Sequence, residues 1–319
     1  MNDADRLSDA PAGDERPSRV ESVMRSPWLN LALFLATVAS TFYVGALVVS
    51  DSGSPLRGWV FAVPLLAILV THEMGHYLQA RRHHVEASLP FFIPLPIPPL
   101  GTLGAVIAMR GRIKTRDALL DIGASGPIAG LIVAIPVLAI GLRLSTIEPI
   151  PLHGVDEGQS LFYLAMKRIV LGPIPAGYDV FLHPTAFAGW AGLLMTMLNL
   201  MPIGQLDGGH VAYSLFGPRQ DRFSLRARYG LLVVALAVGG WSAFQAMRNH
   251  LPWSEVGWSL LKGGNWIFWF FLTWLLTRGG GAKHPPTEDA RLSPIRRVVA
   301  WVTLLMFVAL FMPIPLTQH

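Results

Sequence analysis

The stretch Ala67-Ile-Leu-Val-Thr-His72-Glu73-Met-Gly-His76-Tyr77 sets three ionisable side chains within five residues of an otherwise apolar run. The run, residues 59–80, is long enough to cross roughly 30 Å of hydrocarbon at about 1.5 Å per residue. Charge at that depth is expensive, so ionisable residues there point to function. The spacing is H-E-x-x-H. On a helix, positions i and i+4 lie about 40° apart around the axis, so both imidazoles share one face and can bind a single ion. Glu73 stands one residue along, beside such an ion rather than on it, where it can take a proton from bound water. The bland alternative is two histidines satisfied by helix neighbours and a stray Glu. The cost of three such groups in one span weighs against it.

Outward from this segment lie six more of similar character: residues 29–50, 119–142, 184–216, 229–247, 258–277 and 298–315. Together they predict an all-α polytopic membrane protein with about seven transmembrane segments. Pro202 and Gly204 interrupt the fourth, which is therefore not expected to be one straight helix. Composition agrees. Of 319 residues, 52% are hydrophobic and 14% charged, against about 25% charged in a soluble domain. That excludes a water-facing globule and a disordered chain. There is no cysteine, so disulfides, thiolate metal sites and a cysteine nucleophile are excluded, and a metal must sit on His, Asp or Glu.

A net charge of +5 would by itself suggest nucleic acid. Position decides otherwise. Threading the segments with the N-terminus inside places nineteen of the 25 Lys and Arg residues in inside loops and six outside. Such a bias sets membrane orientation, so no nucleic-acid partner is expected. The resulting organisation is a cytoplasmic hydrophilic tail over residues 1–28 and a membrane domain over 29–316, with no separate soluble domain. The first span is too long for a signal-peptide core, and the acidic residues before it do not suit a transit peptide. A multi-pass protein of a bacterial inner membrane, N-terminus cytoplasmic, is the expectation.

Two stretches are not spans. Residues 90–99 carry five prolines among Phe, Ile and Leu. They cannot be helical, yet they are too apolar for an exposed loop. Irregular backbone at membrane depth is tolerated only where protein or a wet cavity satisfies it. The segment is read as a short re-entrant β-like element entering from the cytoplasmic side and ending in a strand near 102–109. Residues 145–183 form an external loop, in which 161–171 is either a short helix on the outer membrane surface or part of a plain linker.

Zinc on two histidines needs a third protein ligand and an open position for water. Asn199-Leu-Met-Pro202-Ile-Gly-Gln-Leu-Asp207-Gly208-Gly209-His210 supplies a candidate in Asp207, one of few acids in the apolar segments. Depth agrees. His76 lies five residues, or about 8 Å, from Arg81 at the cytoplasmic end of its helix, and Asp207 lies toward the cytoplasmic end of its own segment. His72 and His76, with Asp207 as the candidate third ligand, thus meet at similar depth toward the cytoplasmic side. Asn199 either stabilises an oxyanion or packs as an amide between helices. His210 either lines the site or is structural. Asp121 reads as an interfacial charge, and Gly126 with Gly130 as a small-xxx-small packing face.

These residues resemble the site-2 proteases, a family of intramembrane zinc metalloproteases. The likeness rests on His72-Glu73-Met-Gly-His76, on Gly126-Pro127, and on Asn199-x-x-Pro202-x4-Asp207-Gly208, and it covers residues 59–213. The runs through 101–112 and 121–130, and Phe187-Ala-Gly-Trp190 before Asn199, look like the branch of cyanobacterial and chloroplast members. The resemblance implies a three-helix metalloprotease core and one zinc on His72, His76 and Asp207. It implies Glu73 as general base and Asn199 as oxyanion stabiliser. It further implies hydrolysis of a peptide bond within or near a transmembrane segment of a membrane-protein substrate in the bilayer. Many members insert a PDZ domain between core helices, for which the connecting loop here has no room. The alternative is a proteolytically silent zinc-binding scaffold or transporter. A transporter would repeat broken helices in two halves, whereas the polar motifs here are confined to 59–213.

Overall fold

Predominantly apolar sequence folds into helices whose outer faces remain greasy. The computed structural model describes residues 26–48, 55–110, 113–150, 155–278, 287 and 292–318. Most of the tail expected over 1–28, up to residue 25, lies outside the described residues. The helices are α1 (Pro27–Val48), α2 (Trp59–Arg82), α3 (Arg116–Leu144), α4 (Leu161–Leu171), α5 (Pro184–Asn199), α6 (Asp207–Phe216), α7 (Gln220–Arg248), α8 (Trp253–Leu260), α9 (Gly264–Arg278) and α10 (Pro294–Leu310).

Among the described residues, four helical runs are long and apolar enough to cross a membrane: Pro27–Leu47, Leu56–Arg82, Arg116–Leu144 and Asp207–Arg248. Helices α5, α9 and α10 have 16, 15 and 17 residues, short of the roughly 20 that a full untilted crossing takes. Ile132 on α3, Val233 on α7 and Leu305 on α10 are 67%, 65% and 63% exposed. Large apolar side chains spread over several faces suit a hydrocarbon solvent and not water.

The core is the packing of α2, α3 and α5, closed at one end by α6. Phe61, Leu65, Ile68, Leu138, Trp190 and Leu193 are fully or almost fully buried there. The interruption expected at Pro202 and Gly204 is present: α5 ends at Asn199 and α6 begins at Asp207, with turns between.

The proline-rich stretch runs out and back as paired strands. β1 (Glu86–Ala87) pairs antiparallel with β4 (Met109–Arg110), and β2 (Phe91–Pro94) with β3 (Thr102–Val106), in the register Phe91↔Val106 and Phe92↔Ala105. Its irregular backbone is satisfied by α1. Asn30 Nδ2 donates to Leu89 O (2.9 Å) and Pro90 O (3.0 Å), and Ser40 Oγ to Gly101 O (2.6 Å). Gly101 sits at φ 77°, and a Cβ there would meet the α1 backbone at Thr41, 2.8 Å away.

The loop over 145–183 is a packed layer and not a plain linker. β5 (Thr146–Pro149) pairs with β7 (Tyr178–Phe181), and β6 (Val155–Glu157) pairs with the C-terminal β8 (Leu316–Gln318). Ser160 caps α4 by accepting from the Tyr163 amide at 3.1 Å. One turn apart on the inner face of α4, Tyr163 and Lys167 are buried. Lys167 Nζ reaches Asp179 at 3.1 Å and Glu157 at 3.4 Å, and the Tyr163 hydroxyl donates to Glu157 at 2.8 Å. Burial, with Glu157 beside it, pushes the Tyr163 phenol well above its usual pKa, which keeps it a donor.

Candidate metal centre

Helix α2 is unbroken through the H-E-x-x-H stretch, so His72 and His76 stand one turn apart, ring centroids 5.0 Å from each other. Both are buried, as is Glu73. Asp207 is the first residue of α6. The turn over 200–206 swings it back to α2, a placement no continuous helix could provide.

The three side chains converge on one point. His72 Nε2, His76 Nε2 and Asp207 Oδ2 form a triangle with each side 3.2 Å. A tetrahedral zinc with bonds of about 2.0–2.2 Å to nitrogen and oxygen separates its ligand atoms by roughly 3.3–3.6 Å. The donor set therefore fits such an ion in both chemistry and size. Among the described residues this is the one group of three or more His, Asp or Glu side chains placed to hold a metal.

The ring of His76 is oriented by a backbone carbonyl. Its Nδ1 lies 2.7 Å from Ile122 O. A carbonyl only accepts, so Nδ1 carries the hydrogen and the Nε2 lone pair faces the ligand cluster. Helix α3 can come this close because it presents glycine. A Cβ on Gly126 would strike the His76 ring, and one on Gly130 would lie 3.2 Å from His72 Nδ1. The small-xxx-small face read from the sequence is thus the seat of the two imidazoles.

Asn199, the last residue of α5, brings Nδ2 to 3.2 Å from His72 Nε2. A small cavity of about 50 Å³ opens beside it, lined in part by His72, Glu73 and Asn199. Its walls include Leu103, Gly104 and Ala105 of β3, Met195 of α5 and Trp269 of α9. Trp269 carried no signal in the sequence, being one aromatic in an aromatic-rich helix.

His210 and Asp121 stand outside the ligand triangle. His210 is buried one turn after Asp207, its Cβ against Gly123 of α3. Asp121 forms an ion cluster. Arg296 Nε and Nη2 donate to its two oxygens at 2.9 and 2.6 Å, His83 Nε2 lies 2.8 Å away, and Arg296 Nη1 also reaches Asp117 at 3.0 Å. This clasp joins the start of α3, the end of α2 and the start of α10.

Comparison with known proteins places this arrangement. The chain is 36% identical over 176 residues to the "Probable zinc metalloprotease EGY1, chloroplastic" of Arabidopsis thaliana, a match covering 52% of this chain and 30% of that protein. It is 34% identical over 162 residues to the protein of the same name from Oryza sativa subsp. japonica, covering 49% and 28%. To the "Probable zinc metalloprotease EGY2, chloroplastic" of Arabidopsis thaliana it is 29% identical over 254 residues, covering 78% and 40%. The chain thus spans between 28% and 40% of the length of these curated relatives. No solved structure matches it. Residues 60–239 match Peptidase family M50, and those residues hold His72, Glu73, His76, Asn199 and Asp207. The chain belongs to Peptidase family M50.

Proposed function

We propose that this protein is an intramembrane zinc metalloprotease that hydrolyses a peptide bond within or near a transmembrane segment of a membrane-protein substrate. The 3.2 Å triangle of His72, His76 and Asp207 carries the reading, and the relatives' names agree with it. Zinc bound there supplies a Lewis acid and a water of lowered pKa. Glu73 takes the proton of the attacking water and returns it to the leaving amine. The single lone pair on His72 Nε2 goes to the metal, which releases the Asn199 amide to donate to the tetrahedral oxyanion.

A helical substrate hides its carbonyls and must unwind before attack. The unwound stretch adds as a strand along β3, whose residues 103–105 line the cavity next to Glu73 and Asn199. In the bilayer the chain crosses seven times, with α5–α6 as the broken fourth segment and α9 and α10 as the last two. The proposed location is a bacterial inner membrane, and the charge distribution supports a cytoplasmic N-terminus there, with the metal toward the cytoplasmic face. The tail is then residues 1–28 and the membrane domain 29–316, with the protease core over 59–213.

The test is cleavage of a single-span substrate in proteoliposomes. Wild type is expected to cut inside or at the edge of the hydrophobic segment, and Glu73→Gln to cut at least about 100-fold more slowly. Full activity in Glu73→Gln would remove the mechanism.

A further inference from the structure

The cavity beside the candidate metal ligands is lined by two kinds of side chain. His72, Glu73 and Asn199 are polar, and Ile68, Met195 and Trp269 are apolar. Thr196 shows its methyl there, since its hydroxyl donates to Gly192 O at 2.8 Å. The apolar walls are tight. A Cβ at Gly192 would lie 2.8 Å from Ile68 Cδ1, and one at Gly104 would lie 2.9 Å from the Met195 methyl. Gly104, at φ 95°, is what lets β3 approach α5 so closely. Trp269 contributes a wall from α9. Its backbone oxygen accepts from Thr273 at 2.8 Å, and its ring packs edge-on to Phe268 with centroids 5.7 Å apart.

The volume of about 50 Å³ decides what fits. An apolar cavity able to hold a benzene ring measures about 150 Å³, three times as much. A strand lying along β3 sends alternate side chains to opposite faces, so one substrate residue next to the scissile bond projects into this space. We propose that Met195 and Trp269 are specificity-determining residues that restrict that substrate residue to Gly, Ala or Ser. The inference rests on the protease reading and adds the substrate class. Removing the indole opens the pocket toward α9 and admits Leu or Phe. A misfit of one or a few methylenes in such a pocket changes kcat/KM by about 10–200-fold.

Cleavage-site mapping tests this without a known substrate. Full-length wild type, Glu73→Gln and Trp269→Ala are expressed at matched levels in the same cells. New termini in the membrane proteome are then read by mass spectrometry. Expected are Glu73-dependent sites with Gly, Ala or Ser fixed on one side of the cut bond, and in Trp269→Ala a relative gain of about tenfold or more for Leu and Phe at that position. Should Trp269→Ala not accumulate, Met195→Ala and Trp269→Leu provide the same ratio. Wild-type sites with bulky residues on both sides, or an enlarged-pocket variant with an unchanged residue distribution, would overturn the proposal. An absence of any Glu73-dependent site would instead overturn the protease reading beneath it.

Discussion

His76 is positioned by one carbonyl and one missing side chain. Its Nδ1 donates to Ile122 O, and its ring lies where a Cβ of residue 126 would be. Gly126→Ala should therefore displace the ring and lower zinc affinity by about 10–100-fold, the range for losing an orienting contact to a metal ligand. Competition with a chromophoric chelator measures it. Gly240→Ala, with open space around its Cβ, should leave affinity unchanged. Equal affinities in the two variants would mean that Gly126 only joins helices. The cluster of His72, His76 and Asp207 was legible in the sequence because three ionisable groups in an apolar run stand out, and because Asp207 follows a proline and glycine break. What Gly126 and Gly130 face was not legible. Their spacing announces a close approach, but the partner is set by how α3 meets α2, which no local pattern encodes.

Elements are joined here by few polar contacts, each with an identifiable consequence. The Arg296 guanidinium grips Asp121 through two nitrogens and Asp117 through the third. All three side chains are partly open to solvent, with Arg296 35% exposed, so screening limits the worth of the clasp to roughly 1 kcal/mol. Arg296→Ala should lower the unfolding temperature in detergent by a few degrees, less at high salt, while leaving zinc content unchanged. Arg296→Lys should recover only part, because an ammonium cannot reproduce the two parallel bonds. A loss of zinc in Arg296→Ala would show that the clasp reaches the metal. The sequence announced the break between α5 and α6 and offered helix α4 over 161–171 as one of two readings. It did not announce the pairing of β5 with β7 or of β6 with β8, since strands of three or four residues are too short for periodicity to register. Nor did Asn30 and Ser40 stand out as the groups that satisfy the proline-rich hairpin, because single polar residues in a span carry no address.

At the scale of the whole molecule, the proposed orientation rests on where the positive charge falls. Because the chain has no cysteine, single cysteines can be introduced without background. With the N-terminus inside, an impermeant maleimide applied from outside should label Glu148→Cys in β5 and spare Arg219→Cys between α6 and α7; the reverse pattern would invert the proposed topology. The overall membrane character was legible from composition, since few charges and many apolar residues leave little else. The most direct test of the account is the metal content of the purified protein. Elemental analysis should find about one zinc per chain in wild type and Glu73→Gln, and a large loss in His76→Ala and Asp207→Ala. An unchanged zinc-to-protein ratio in Asp207→Ala, or no zinc in wild type, would contradict it.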